Sequence, residues 1–156
     1  MSRIARRVHQ AGVYFVTTDT WERRPIFAEP RTAQIVLEQL LDCRERGFYK
    51  LHAFVIMPDH IHILITPGDS TTVEKAIQMI KGGSSHRIGL DDPHRFPIWH
   101  AGFHDRWIRS PDEYREIMVY IDLNPLAPML VKRAEEYQFG SASGRFALDS
   151  SKFDRG

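Results

Sequence analysis

Cysteine is almost missing from this 156-residue sequence: Cys43 stands alone. A lone cysteine closes no internal disulfide, which excludes a disulfide-stapled scaffold and fits a reducing cytosol. Cys43 itself reads as a small buried residue on a helix. Long apolar runs are missing too, and none approaches the ~20 residues that a membrane-spanning helix needs. Arg3, Arg6 and Arg7 are followed by no apolar stretch with a small-residue cleavage site, so they are not read as a secretory signal. A cytoplasmic location is therefore expected. Charge of one sign is scarce as well. Lys and Arg number 21 against 20 Asp and Glu, a formal net charge of +1, so overall basicity does not announce a nucleic-acid partner. Internal repeats, low-complexity segments and domain boundaries are absent.

What remains is ordinary for one globular domain: 42% hydrophobic and 26% charged residues, in a chain long enough for a single core. The expected domain is 1–156, with a core over about 12–140, a basic segment 1–11, and a tail 141–156 that is partly ordered or frayed. Val13 to Thr18 has strand composition, bounded by Gly12 and Asp19. Residues 20–30 form a polar loop. From Arg31 to Arg46, Ala33, Val36, Leu37, Leu40 and Leu41 recur at helical spacing, with Gly47 as C-cap. Strands follow over 48–57 and 60–67, joined at Pro58-Asp59 as a hairpin. Thr71 or Thr72 caps a second helix, expected to end near Lys81, where Gly82-Gly83-Ser84-Ser85 loosens it. Residues 98–108 read as a fourth strand or strand-like segment. Ser110-Pro111-Asp112-Glu113 starts a third helix that Pro125 ends near Asn124.

The order β-α-β-β-α-β-α predicts an α+β fold. Its first six elements match the ferredoxin-like split β-α-β arrangement, an antiparallel sheet with two helices on one face. His60 and His62 lie two apart on the third strand and so point to one face, while Ile61, Ile63 and Ile65 point to the other. The two apolar helices cover the isoleucines. The histidine face is left for the third helix or for solvent. Two imidazoles side by side suit a metal or acid–base chemistry, but a pair is an incomplete site. By residue type, the further ligands open to it are His86, His100, His104, Asp105, Glu116 and Asn124. On the third helix, Glu116, Tyr120 and Asn124 form a line at i, i+4, apart from the apolar stripe of Tyr114, Ile117, Met118 and Ile121. Spacing alone does not separate a half-buried tyrosine from a functional phenol.

Basic residues come in clusters: Arg3/Arg6/Arg7, Arg23/Arg24, Lys81 to Arg87, Arg106/Arg109 and Lys132/Arg133. Each is an ordinary solvated feature by itself, and together they suggest phosphate binding at one face. Trp99, Phe103 and Trp107 alternate with His100, His104, Arg106 and Arg109, a composition compatible with single-stranded nucleic acid or with an edge strand packed on the core.

The stretch Met57-Pro58-Asp59-His60-Ile61-His62-Ile63-Leu64-Ile65 resembles the His-hydrophobic-His motif of the HUH nucleases. The stretch from Trp107 to Val131 (WIRSPDEYREIMVYIDLNPLAPMLV) resembles the helix and turn of single-tyrosine HUH transposases, and YFVTTDTWERRPIF is similar to their first strand and Arg-rich turn. The three blocks, in order from about Val13 to Tyr137, resemble above all the REP-associated tyrosine transposases, IS200-like relatives that cut and join single-stranded DNA next to hairpins. The sequence departs from the family pattern at Asp122-Leu123 and Pro128-Met129, and its Tyr137-Gln138-Phe139-Gly140-Ser141 replaces the usual Pro-Trp-Ser-Ser.

The resemblance implies a catalytic set of His60, His62 and Tyr120, with Tyr120 as nucleophile. It implies metal ligation by His60, His62 and Asn124, the cofactor being a divalent ion, Mg²⁺ or Mn²⁺. It implies cleavage and rejoining of single-stranded or hairpin DNA, resembling a repetitive extragenic palindrome, through a 5′-phosphotyrosine, in a prokaryotic cytoplasm at the nucleoid. Arg3, Arg6, Arg7, Arg23, Arg24, Lys81, Arg87, His104, Arg106 and Arg109 are the expected DNA contacts. A monomer is expected in preference to a homodimer, and no membrane partner. Glu116, one turn from Tyr120, is a candidate general base. Two other readings compete: a non-catalytic hairpin-binding module of the same fold, and a zinc hydrolase in which His86, His100 or His104 completes the site.

Overall fold

The computed structural model describes residues 11–154. Four segments rich in β-branched and aromatic residues form strands: β1 (Tyr14–Asp19), β2 (Tyr49–Met57), β3 (His60–Pro67) and β4 (His104–Trp107). All their pairings are antiparallel, in the spatial order β2-β3-β1-β4. Three helices complete the fold: α1 (Pro30–Glu45), α2 (Val73–Asp91) and α3 (Pro111–Leu123). The architecture is the expected α+β, ferredoxin-like one.

Strand alternation divides the apolar residues between the two faces of the sheet. Ile61, Ile63 and Ile65 of β3 join Ala33, Val36, Leu37 and Leu40 of α1 and Val73, Ala76, Ile77 and Ile80 of α2 in the larger core cluster. Val55, Met57 and Leu64 face the other way and meet Tyr114, Ile117 and Ile121 of α3. The sheet is thus the middle of three layers, and α3 lies on the histidine side.

The helix ends follow the local chemistry. Gly47 adopts φ +83°, its N–H donates to Arg44 O at 3.0 Å and the Phe48 N–H to Cys43 O at 3.1 Å, the paired bonds of a Schellman C-cap. Ser110 Oγ accepts from Glu113 N at 3.1 Å, and Thr72 Oγ1 from Lys75 N at 3.1 Å, so each satisfies an orphan donor of its helix.

Two expectations change. The second helix does not end near Lys81 but runs on to Asp91. Its glycines are packing positions: a Cβ on Gly83 would lie 2.0 Å from Gln39 Nε2, and one on Gly89 would lie 2.4 Å from the Phe96 ring. Ser84 donates to Ile80 O at 2.6 Å and accepts from Trp99 Nε1 at 3.0 Å. Helix α2 needs small residues there because α1 and the 96–99 loop press against it. The fourth strand is also shorter than 98–108. It spans only His104–Trp107, with an isolated bridge between Thr20 and Trp99, because Gly102 (φ +85°) breaks the run and Trp99 turns into the core.

The stretch 139–154, finally, is attached to the sheet. Ile56 N donates to Phe139 O at 2.8 Å and Asp149 N to Leu51 O at 2.8 Å. The Asp149 carboxylate accepts from Arg44 Nε at 2.9 Å and from Leu51 N at 2.8 Å. This segment covers the outer edge of β2, which would otherwise offer unpaired backbone groups. It also meets a bulge between Leu51 and Ala53. There His52 is buried, with its ring nitrogens on Asp149 O and Thr66 Oγ1, both at 2.7 Å.

Candidate active site

The register fixes what surrounds the two histidines. Cα partners across antiparallel strands share a face. His60 is opposite Asp19 and Met57, and His62 is opposite Thr17 and Val55; Thr17 in turn is opposite His104. The His60 and His62 rings meet edge to face with centroids 4.7 Å apart.

Each ring is held through its Nδ1. His60 Nδ1 lies 2.7 Å from Asp59 Oδ1. Burial alone would raise the Asp59 carboxyl, but the hydrogen bond with His60 and the charge of Arg23 outweigh it and hold it below the usual range. Asp59 is therefore an ionised acceptor and His60 the donor. His62 Nδ1 lies 2.7 Å from Thr17 Oγ1. Burial, followed by the charges of His60 and Arg23, pushes the His62 imidazole down to about 3, so the ring is neutral near pH 7. With its proton on Nδ1 toward Asp59, His60 leaves its Nε2 lone pair to bind something else, as in a carboxylate–histidine–metal arrangement, and His62 does the same in the tautomer that donates to Thr17 Oγ1.

Tyr120 comes to the same place from α3. Its ring meets His62 edge to face with centroids 5.3 Å apart, and meets Phe15 likewise at 6.0 Å. Phe15 itself stacks on His62 at 5.3 Å and 29°. The three rings form one cluster, yet Tyr120 stays 51% exposed, so a substrate can reach it. Helix α3 is aimed by its buried Tyr114, Ile117 and Ile121 on the sheet. At its start, Glu113 accepts from Arg109 N at 2.8 Å and pairs with Arg106 at 2.6 Å. Asn124 caps the helix one turn past Tyr120, on the same line as Glu116. Both Asn124 and Glu116 reach water.

The two imidazole nitrogens suit a divalent cation of modest softness; Asn124 stands one turn beyond the phenol along the helix. Among the described residues, no group of three or more His, Cys, Asp and Glu is placed to hold a metal ion. The three-histidine zinc site is thereby lost: His86, His100 and His104 do not gather with His60 and His62 in a ligand set, and all three are exposed.

The expected DNA contacts are scattered. Arg3, Arg6 and Arg7 lie outside the described residues. Arg23 is at the site, pairing with Asp59 at 3.2 Å and Asp19 at 3.3 Å. Arg106 on β4 is opposite Phe15, on the histidine face, and Arg109 lies 5.7 Å over the Trp107 ring. Others are occupied inside the fold. Arg24 donates to the carbonyls of Trp21, Arg95 and Pro97. Lys81 donates to His100 O at 2.8 Å and Gly102 O at 2.5 Å, and burial lowers its ammonium to about 8. Arg87 pairs with Glu38 on the helix layer, across the sheet from the histidines. Sequence reasoning missed Asp59, Thr17 and Phe15. Asp59 was visible as the residue before His60. Thr17 and Phe15 become visible only once the β1–β3 register is known.

Comparison with known proteins adds to this geometry. Residues 8–121 match the family profile described as "Transposase IS200 like". A REP-associated tyrosine transposase of Escherichia coli (strain K12) is 24% identical over 155 residues, covering 96% of this chain and 90% of that protein. The solved structure of a REP-associated tyrosine transposase bound to a REP hairpin superposes with a TM-score of 0.73 at 23% identity, over 92% of this chain and 87% of the other. A putative transposase from Deinococcus radiodurans R1 gives a TM-score of 0.56 at 20% identity, over 72% and 90%. The two structures share the fold with this chain.

Proposed function

The chain belongs to the IS200-like transposase family, and from that premise we propose that it cleaves and rejoins single-stranded DNA flanking a hairpin, with Tyr120 as the nucleophile. The observation that carries this reading is the ring contact between Tyr120 and His62, two residues of one chain that are 58 positions apart in sequence. Because one chain supplies both, no partner subunit is needed to complete the centre, which favours action as a monomer.

A free tyrosine phenol has a pKa of ~10 and is a poor nucleophile at neutral pH. Here its ring is positioned against His62 and Phe15, so that attack on a bound phosphate becomes a matter of placement. The Tyr120 oxygen forms a bond to phosphorus as the bond to the 3′-oxygen breaks. The phenol proton is released, and the departing 3′-oxygen takes one up. The products are a 5′-phosphotyrosine and a 3′-hydroxyl. Because the phosphodiester is conserved in the covalent link, the reverse attack by a 3′-hydroxyl rejoins the strand. His60, His62 and Asn124 would hold the metal, which when bound supplies positive charge against the phosphate oxygens. Asp59 and Thr17 fix the two imidazoles, and Phe15 supports His62 from the side. Glu116, one turn before Tyr120 on the helix, is proposed as the base.

The hairpin as partner is carried by the family and by the REP hairpin named for the structural relative. The test is incubation with a labelled hairpin bearing a single-stranded flank and Mn²⁺. A covalent protein–DNA adduct is expected with the wild type and none with Tyr120→Phe, which should still bind the hairpin. Absence of the wild-type adduct, or an adduct that survives Tyr120→Phe, would overturn the assignment and leave a binding module.

A further inference from the structure

Each of the three tryptophans has a different environment. Trp99 is buried, with its indole N–H on Ser84 Oγ at 3.0 Å. Trp107 is half-buried, donates to Ala11 O at 3.3 Å and lies under Arg109. Trp21 is 38% exposed, and among the described residues its indole makes no hydrogen bond or aromatic contact. An exposed tryptophan whose indole has no such partner among the described residues is a candidate stacking surface.

The backbone that presents it is fixed and strained. Trp21 N donates to Ile98 O at 2.9 Å, and Trp21 O accepts from Arg24 N at 3.1 Å. The next two residues, Glu22 and Arg23, have φ of +54° and +56°, a left-handed turn without glycine that costs energy at each residue. The turn returns Arg23 to Asp19 and Asp59, and Asp59 is the residue that orients His60. Thr20 N also donates to Asp59 O at 3.0 Å. The loop with the open indole is therefore tied directly to the histidine pair.

We propose that Trp21 is the stacking platform for an unpaired nucleobase next to the scissile phosphate, and that it favours single-stranded over duplex DNA at that position. The proposal rests on the transposase reading above and adds a base-binding site to it. A base inside a duplex has both faces covered by its neighbours, whereas an unpaired base offers a face to the indole, whatever its sequence. A guanidinium alone would not make that distinction, since it reads phosphate in either form. Trp21 binds; it does not touch the reacting atoms.

The test is binding in EDTA, where no cleavage intervenes. A hairpin with a single-stranded flank and the same hairpin with a blunt end are titrated against wild type, Trp21→Phe and Trp21→Ala, following tryptophan emission and, independently, calorimetry. The flanked hairpin is expected to quench wild-type emission. Trp21→Phe should lose most of that quenching but keep the affinity. Trp21→Ala should bind the flanked hairpin about 5- to 150-fold more weakly, with the blunt hairpin unchanged. If half or more of the quenching survives in Trp21→Phe, or Trp21→Ala binds the flanked hairpin as tightly as wild type, the platform is disproved. Should Trp21→Ala fail to fold, Trp21→Phe decides alone. Failure of the cleavage reading shows separately, as a missing Tyr120-dependent adduct. No binding of either hairpin by the wild type would overturn both.

Discussion

His62 is neutral because of where it sits, and that makes the fold sensitive to acid. Its folded imidazole titrates at about 3, whereas an unfolded histidine titrates near ~6.5. Between those values the unfolded chain binds a proton that the folded chain refuses. Stability is therefore full above the unfolded value and falls as pH falls through the window. His52 acts in the same direction, since burial lowers it as well. At pH 5 the His62 contribution alone is a loss of about 2 kcal/mol. Urea unfolding of metal-free protein should show a lower midpoint at pH 5 than at pH 7.5, and His62→Asn should flatten that difference. A flat wild-type profile would mean that the imidazole is better solvated than its environment implies. Asp59 yields a second expectation at this scale. Asp59→Asn replaces the ionised acceptor of the His60 Nδ1 proton with a neutral amide that can also turn its N–H to the ring, so Mn²⁺ affinity measured by calorimetry should drop about 10- to 100-fold. The common face of His60 and His62 was legible from strand alternation. Of their supporting residues, Asp59 was legible as the neighbour of His60, whereas Thr17 and Phe15 were not, because they are neighbours only through a register that no local pattern encodes.

Helix α2 shows why elements are harder to read than residues. Gly82-Gly83-Ser84-Ser85 has the composition of a break, since each glycine in a helix interior costs ~1 kcal/mol against alanine. The helix continues because its neighbours require small residues, a tertiary demand with no local signature. The two glycines are separable on that account. A Cβ on Gly82 meets nothing within 4 Å, whereas one on Gly83 falls on the Gln39 amide, which donates to Met79 O at 3.0 Å. Gly82→Ala should raise stability by about 0.5–1 kcal/mol. Gly83→Ala should gain less, or lose, because the same helix gain is offset by the displaced Gln39. Thermal denaturation of the two single variants checks this directly, and equal gains would contradict the packing account. By contrast, the starts of α1, α2 and α3 and the end of α1 were legible within one residue or two. Three of these ends are capped by local chemistry, since Ser110, Thr72 and Gly47 act on groups three to five residues away, and the start of α1 has Pro30 at its first position.

At the scale of the whole molecule, one sheet serves two layers with different tasks. Helices α1 and α2 bury one face against most of the large apolar side chains. Helix α3 holds the other with a smaller set, chiefly Tyr114, Ile117 and Ile121. Element order and alternation made that division legible, and the resemblance singled out Tyr120. The packed tail was not legible, because the polar segment 147–152 offers no periodicity and is anchored instead by Asp149 on Arg44 and Leu51. The unequal layers lead to a prediction about function. Ile121 is fully buried one residue from Tyr120, and Leu40 is fully buried in the opposite layer. Truncation of either to alanine should cost about 2–5 kcal/mol of stability. Under conditions where both variants remain folded, Leu40→Ala should form the DNA adduct at nearly the wild-type rate. Ile121→Ala should be slower by at least tenfold, because loosening the α3 seat moves the phenol off His62 and Phe15, and small misplacements of a reacting group are expensive. Near-ultraviolet spectra and unfolding curves establish that the two are equally folded, and adduct formation is then timed by denaturing gel. Equal rates would show that α3 keeps its position without Ile121 and that the smaller layer does not set the geometry of the site.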